Sequence, residues 1–116
     1  MLRGSHKALL GATAVSFGVL LCSSTPNADA DRKPVSHTVI IDATSFTPAT
    51  LTVRAGDSVI WINKDIIPHT ATSQPGKFDS GTLLTGKSWQ FKASAKGEFT
   101  YGCLFHPTMK GTLRVR

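Results

Sequence analysis

The chain has 116 residues, of which 13 are Lys or Arg and seven are Asp or Glu, giving a formal charge of +6. This length allows one domain, and the basic residues are scattered singly, which argues against a nucleic-acid-binding protein. A positive surface instead favours acidic partners, because long-range attraction steers them toward it.

The first 30 residues have the features of a secretory signal. A short positive start precedes an apolar run over residues 8–21, which is shorter than the roughly 20 residues that a membrane-spanning helix needs. The run is followed by a polar stretch ending in the small-x-small sequence ADA at Ala30. We therefore predict a signal peptide over residues 1–30, cleaved after Ala30. A buried core helix is the alternative, disfavoured because the run starts almost at the first residue.

The two cysteines bear on the route of export. Lipid attachment at Cys22 is a minor alternative, because the large Leu21 precedes it where a lipoprotein signal usually has a small residue. Signal removal leaves an exported, for example periplasmic, chain over residues 31–116, with 11 basic and six acidic residues and Cys103 as its single cysteine. Oxidising compartments favour disulfides. A lone Cys103 is therefore expected to be reactive, buried and inert, or bound to a metal.

Short β-type runs alternate with Gly, Pro and Asp turn signals after the signal segment. Alternation with a period of two places successive side chains on opposite faces of a sheet. The predicted strands, in chain order, are SHTVIIDA, TLTVR, SVIWIN, KSWQFKA, GEFTYG and GTLRVR. The stretch 65–86 has no clear pattern. Six or seven strands without a convincing helix predict an all-β fold, an antiparallel sandwich or barrel.

Three side chains that bind metals lie at every third position between the last two predicted strands: Cys103, His106 and Met109. A strand would not line up donors at this spacing, so we predict that a tight loop carries them. Thiolate, imidazole and thioether form a soft donor set suited to copper, whereas structural zinc sites prefer four Cys or His. His69, after the strand SVIWIN, supplies a second imidazole. Two His and one Cys with a weak axial Met form the blue-copper arrangement.

Each donor has a plainer interpretation when taken alone. A buried Cys is often a small hydrophobe, a loop Met often fills the core, and a single His often lies at the surface. The joint spacing favours a metal site, and His37, which has no companion donors, is predicted not to be a ligand. A thiol hydrolase built on Cys103 would need a base, an orienting group and a substrate cleft. It would also leave Met109 without a role.

These residues resemble those of the cupredoxins, small blue copper proteins, and most closely the amicyanin and plastocyanin branch. Residues 46–69, FTPATLTVRAGDSVIWINKDIIPH, are similar to the family's first ligand segment, and GEFTYGCLFHPTMKGTLRV is similar to its C-terminal segment. The resemblance covers most of residues 31–116 and is weakest between Ala71 and Gly86. The two-residue gaps between ligands are amicyanin-like. The resemblance implies a Greek-key antiparallel β-sandwich.

The resemblance also implies one type 1 copper per chain, with three equatorial ligands and one axial methionine: His69, Cys103, His106 and Met109. It places Asn63 in the position of an asparagine that joins the His-bearing loop to the Cys-bearing loop by hydrogen bonds. Leu104 and Phe105 depart from the Thr and Pro of the amicyanin-like loop. This change removes a hydroxyl that could have bonded to Asn63.

The expected function is one-electron transfer outside the cytoplasm by a protein that is not an enzyme, because four protein ligands leave no open position for a substrate. His106 is the expected electron port, within an apolar docking patch of Ile66, Ile67, Pro68, Leu104, Phe105 and Pro107. The expected partners are redox proteins with acidic surfaces, and the chain is expected to be a monomer without stable membrane insertion. The alternative is a periplasmic copper carrier or buffer without a redox role, disfavoured because a closed cage releases metal slowly.

Overall fold

A computed structural model describes Gly4, residues 11–20 and residues 32–116. Residues 11–20 have no regular secondary structure, and residues 32–116 form a compact unit by themselves. Ala30 and Cys22 lie outside the described residues, so the signal peptide, its cleavage position and lipid attachment stay predictions. Within the described part of the chain, no helix is long and apolar enough to cross a membrane.

The compact unit consists of eight strands in two four-stranded sheets. The strands are β1 (Ser36–Asp42), β2 (Ser45–Thr47), β3 (Thr50–Val53), β4 (Ser58–Asn63), β5 (Thr72–Ser73), β6 (Ser88–Lys92), β7 (Gly97–Gly102) and β8 (Lys110–Val115). The strand order is β2-β1-β4-β6 in one sheet and β3-β8-β7-β5 in the other. The predicted all-β fold is therefore confirmed.

The predicted antiparallel sandwich has mixed sheets, because each sheet contains one parallel pair of strands. Strand β1 runs parallel to β4, and β3 runs parallel to β8. Parallel neighbours cannot be joined by a tight hairpin and need a crossover. Here the chain leaves the first sheet after β2, adds β3 to the second sheet and returns as β4.

The core is formed by the inward faces of these strands. On β4 the pattern alternates, so that Val59, Trp61 and Asn63 are buried while the residues between them are half-buried. The Trp61 ring packs against Phe78 and Tyr101, with centroids 5.3 and 5.4 Å apart. Burying an aromatic side chain of this size contributes about 4–6 kcal/mol as an upper estimate. The aromatic cluster thus anchors β4 and β7, the two strands that lead into the ligand-bearing loops.

Gly111 is required by the packing of Tyr101. The two residues are cross-strand partners on β8 and β7, and a Cβ at position 111 would overlap the Tyr101 ring. Both lie beside the loop that connects the two strands. Only glycine lets the ring lie flat across the ladder here, so the close pairing of β7 and β8 is maintained up to the loop.

A buried carboxylate organises the other end of β4. The side chain of Asp57 accepts hydrogen bonds from Arg32 (2.8 Å), Val35 N (2.9 Å), His37 Nε2 (2.9 Å) and Arg54 N (3.1 Å). Burial alone would raise the pKa of Asp57, but these hydrogen bonds hold it far below its usual range. His37 thus has a structural partner at the opposite end of β4 from His69.

Candidate metal centre

Two loops at one end of the sandwich carry the predicted ligands. His69 lies six residues after β4 ends at Asn63, and the other three donors lie on the loop of residues 103–109 between β7 and β8. The last ladder pair, Gly102 and Lys110, closes this loop. The site is therefore placed where both strands end and the backbone is free to turn.

The spacing of three residues has a direct structural cause. His106 N donates to Cys103 O (3.3 Å), and Met109 N donates to His106 O (3.0 Å). These bonds form two successive four-residue turns, 103–106 and 106–109, which share His106. Successive donors therefore start from equivalent positions of the loop, and the predicted tight loop is confirmed.

The structure brings together three of the four predicted donors. The ligand atoms of His69, Cys103 and His106 all lie within 4.8 Å of one another. Cys103 Sγ is 3.7 Å from His69 Nδ1 and 3.6 Å from His106 Nδ1. Consider an ion in the plane of the three donors, about 2.0 Å from each nitrogen and about 2.3 Å from the sulfur. The distance from the sulfur to each nitrogen would then be similar to the two observed distances. The donor set thus fits a single metal ion.

The four side chains differ in their access to solvent. His69, Cys103 and Met109 are buried, whereas His106 is half-buried. Met109 lines one cavity together with Cys103, which keeps it at the same end of the sandwich. Of the four side chains, His106 is therefore the one that reaches the solvent.

The environment of Cys103 favours the thiolate. Burial would raise the pKa of this thiol, but the N–H of Thr70, 3.3 Å from Sγ, and then the rings of His106 and His69 outweigh it. The pKa is lowered from 9.0 to about 6. Because the thiolate is the form that binds metal, this site is ready to take up a soft cation near neutral pH.

We expect the metal-free full chain to show a thiolate transition with a midpoint near pH 6. The signal is the ultraviolet absorbance of the thiolate, measured as the difference between the wild-type chain and Cys103→Ser, so that Cys22 cancels. Copper affinity should fall as the pH drops through that midpoint, because protons compete for the sulfur. A midpoint at or above about 8.5, the ordinary value for cysteine, would contradict this expectation.

Asn63 does not join the two loops as predicted. Its Nδ2 donates to Ile67 O (2.9 Å) and Leu83 O (2.8 Å), and its Oδ1 accepts from Asp65 N (2.9 Å). Both amide hydrogens are used by these carbonyls. Asn63 thus holds the His-bearing loop against the segment that precedes β6, and it makes none of its hydrogen bonds to the Cys-bearing loop.

Thr70 makes the connection between the loops instead. Its N–H points to Cys103 Sγ, and its hydroxyl oxygen accepts from Leu104 N (3.0 Å). The hydroxyl lies 3.0 Å from that of Thr72, which donates to Asp79 Oδ1 (3.0 Å). Because the carboxylate only accepts, Thr70 donates to Thr72 in turn. One indication of this connecting role was present in the sequence, namely that Thr70 directly follows the predicted ligand His69.

We expect Thr70→Val to destabilise the protein by about 1–3 kcal/mol, because the part-buried N–H of Leu104 loses its acceptor. Thr70→Ser is the matched control, since it keeps the hydroxyl and loses one methyl, at about 0.8 kcal/mol. Urea denaturation of the metal-free chain at neutral pH measures both free energies of unfolding. Equal losses in the two variants would show that the hydroxyl chain does not join the loops.

Apolar side chains surround the exposed edge of His106. Ile66 is 89% exposed, Leu104 59% and Phe105 52%, so none of them belongs to the core. Ile67 and Pro68 line a shallow groove together with Phe105 and His106. Contiguous exposed apolar surface of this kind marks interaction sites on proteins.

Comparison with known proteins agrees with this geometry. Residues 12–115 match the family model described as a cupredoxin-like domain. Amicyanin-alpha of Methylorubrum extorquens is 33% identical over 85 residues, which cover 69% of this chain and 71% of that protein. Amicyanin of Paracoccus denitrificans is 27% identical, covering 93% and 87%. A solved purple cupredoxin from Nitrosopumilus maritimus superposes with a TM-score of 0.66 at 28% identity, covering 69% and 99%.

Proposed function

Because the chain belongs to the cupredoxin family, we propose that it is an exported carrier that moves single electrons between redox partner proteins. One type 1 copper fits the site, and copper, when bound, supplies one-electron chemistry through its Cu(II) and Cu(I) states. The observation that carries the proposal is the convergence of one thiol and two imidazole nitrogens within 4.8 Å.

We assign His69, Cys103 and His106 as the equatorial ligands and Met109 as the axial one. Two features of these residues suit electron transfer. Hydrogen bonds from the surrounding chain, such as that from Thr70 to Cys103, hold the donors close together without a metal, so that a change of redox state requires little movement. Four protein donors also leave no open position for a substrate, which supports a carrier rather than an enzyme.

His106 is the proposed electron port. Its ring reaches the surface within the groove formed with Ile67, Pro68 and Phe105, while the other three donors are buried. A partner that docks on this apolar surface would approach the site through one imidazole ring. Apolar contact without many ion pairs would also allow fast release after transfer.

Partners with acidic surfaces are proposed from the charge of the chain. Of the acidic residues within 32–116, Asp57, Asp65 and Glu98 face Arg or His partners, and Asp79 accepts from Thr72. The basic residues outnumber them, so the surface potential is positive. Electrostatic complementarity of this kind raises association rates more than affinity.

Export is proposed from the sequence pattern of residues 1–30, with the mature domain over residues 31–116. Cys103 is a free, buried cysteine, and a copper bond would protect its sulfur in an oxidising compartment. Recovery of the exported protein and sequencing of its N-terminus would test this proposal. An N-terminus at Asp31 supports cleavage after Ala30, whereas a lipid-modified Cys22 supports the alternative anchor.

Visible absorption and EPR spectra after addition of Cu(II) test the function. We expect an intense thiolate-to-copper charge-transfer band and a narrow copper hyperfine splitting, followed by reversible bleaching on reduction. An ordinary tetragonal copper signal would exclude the type 1 assignment. Rapid transfer of copper to a competing chelator, combined with slow redox cycling, would favour the copper carrier instead.

A further inference from the structure

The carboxylate of Asp65 contacts the far side of the His69 ring. Asp65 Oδ2 lies 2.9 Å from His69 Nε2, and both side chains are largely shielded from water. On the opposite side of the ring, His69 Nδ1 faces Cys103 Sγ. Because a carboxylate only accepts hydrogen bonds, Nε2 carries the proton, and the lone pair of Nδ1 is directed toward the metal centre.

Asp65 is itself held in place from several directions. Its Oδ2 also accepts from Thr44 N (3.0 Å), and its Oδ1 accepts from Ile66 N (2.8 Å). Its backbone N–H donates to Asn63 Oδ1 (2.9 Å), and its backbone oxygen accepts from the Thr85 hydroxyl (2.7 Å). The carboxylate is therefore a fixed negative charge and cannot swing away from His69.

The bond from Thr44 comes from an unusual turn. Ala43 and Thr44, between β1 and β2, have φ values of 48° and 55°, in the left-handed region that residues with a Cβ rarely occupy. The side chain of Asp42 accepts from Ala43 N at the start of this turn. Such strain persists where the surrounding structure requires it. Here the turn aims the N–H of Thr44 at Asp65.

We propose that Asp65 is a positioning residue that fixes the tautomer and orientation of His69 and lowers the reduction potential of the copper site. This inference rests on the proposed function, because it assigns His69 as a ligand. Carboxylate partners on the far nitrogen of a ligating histidine fix its ring and raise its basicity. A nearby negative charge also favours the more positive Cu(II) over Cu(I).

Asp65→Asn in the copper-loaded full chain tests the contribution of the charge. Mutation of the hydrogen-bond partner of a metal-bound histidine typically changes the metal affinity by 10–100-fold. If the affinity for Cu(II) falls tenfold and that for Cu(I) is unchanged, the potential rises by about 59 mV. Glu98→Gln is the matched control, since it removes the same charge from an exposed residue on β7, where salt screens it. Equal potentials in wild type and Asp65→Asn would overturn the role of the charge.

Asp65→Ala tests the positioning, because it removes the acceptor as well as the charge. In the ¹⁵N NMR spectrum, we expect the Nε2–H of His69 to exchange with water at least tenfold faster in this variant than in wild type. An unchanged exchange rate would overturn the positioning role. The ¹⁵N NMR spectrum of the metal-free wild-type chain gives a test that does not depend on copper. Its His69 should already be the Nε2–H tautomer. The absence of a type 1 spectrum would refute the proposed function, whereas a wrong tautomer would refute only the role of Asp65.

Discussion

Replacement of Cys103 by Ser is expected to abolish the intense visible absorption of the copper-loaded protein. A serine hydroxyl does not ionise near neutral pH, so the site loses the thiolate from which the charge-transfer band arises. The lowered pKa of Cys103 and its distances to both imidazoles make it the central donor. Copper that still binds to Cys103→Ser should bind more weakly than it does to the wild-type protein and should give an ordinary tetragonal EPR signal.

The fold should survive this substitution. Serine is smaller than cysteine and buries a hydroxyl, but the N–H of Thr70 still finds an acceptor, so the free energy of unfolding should fall by no more than about 1–3 kcal/mol. Cys22→Ser in the full chain is the control, because it makes the same chemical change at a cysteine that is not a proposed ligand. A blue protein that retains its band in Cys103→Ser, or loses it in Cys22→Ser, would refute the assignment of the ligand.

Replacement of His106 by Ala is expected to slow electron exchange by at least about 100-fold. Mutation of a residue that only hydrogen-bonds to a metal ligand typically changes metal affinity or activity by 10–100-fold, so loss of a ligand should have a larger effect. His106 is also the only one of the four proposed ligands that reaches the surface groove. Imidazole added to the solution should refill the vacant position and restore much of the spectrum. Exchange should recover only in part, because the chain does not hold the added ring in the groove.

Electron self-exchange, measured by NMR line broadening in mixtures of oxidised and reduced protein, provides the rate. His37→Ala is the control, since His37 is half-buried like His106 but contacts Asp57 at the opposite end of β4. An exchange rate in His106→Ala that equals the wild-type rate before any imidazole is added would show that electrons leave by another route.

The sequence predicted the longer strands because their periodicity is local. The six runs from SHTVIIDA to GTLRVR correspond to β1, β3, β4, β6, β7 and β8. Strand β2 was missed because three residues are too few to show a period, and β5 lies in the stretch 65–86, where the pattern allowed short strands but did not assign them. The parallel pairings were missed for a different reason: alternation shows which side chains face inward, but not which strand lies beside which.

The same distinction applies to the site. Cys103, His106 and Met109 share one short loop, so their spacing was sufficient to identify a candidate metal centre. The residues that hold the ligands act across large separations in sequence. Thr70 is 33 residues from Cys103, and Asp65 is 21 residues from Thr44. No local pattern reports such contacts, and the family resemblance assigned the connecting role to Asn63 instead of Thr70.

The position of β8 in its sheet affects the order in which the protein matures. This last strand lies between β3 and β7, and β1 likewise lies inside the other sheet. A chain synthesised from its N-terminus cannot complete the second sheet until residues 110–115 are available. The loop of residues 103–109 is closed only when β8 pairs with β7. Copper can therefore meet all four proposed donors in the closed loop only after β8 has paired with β7, and a nascent chain that lacks residues 110–115 cannot capture it in this way.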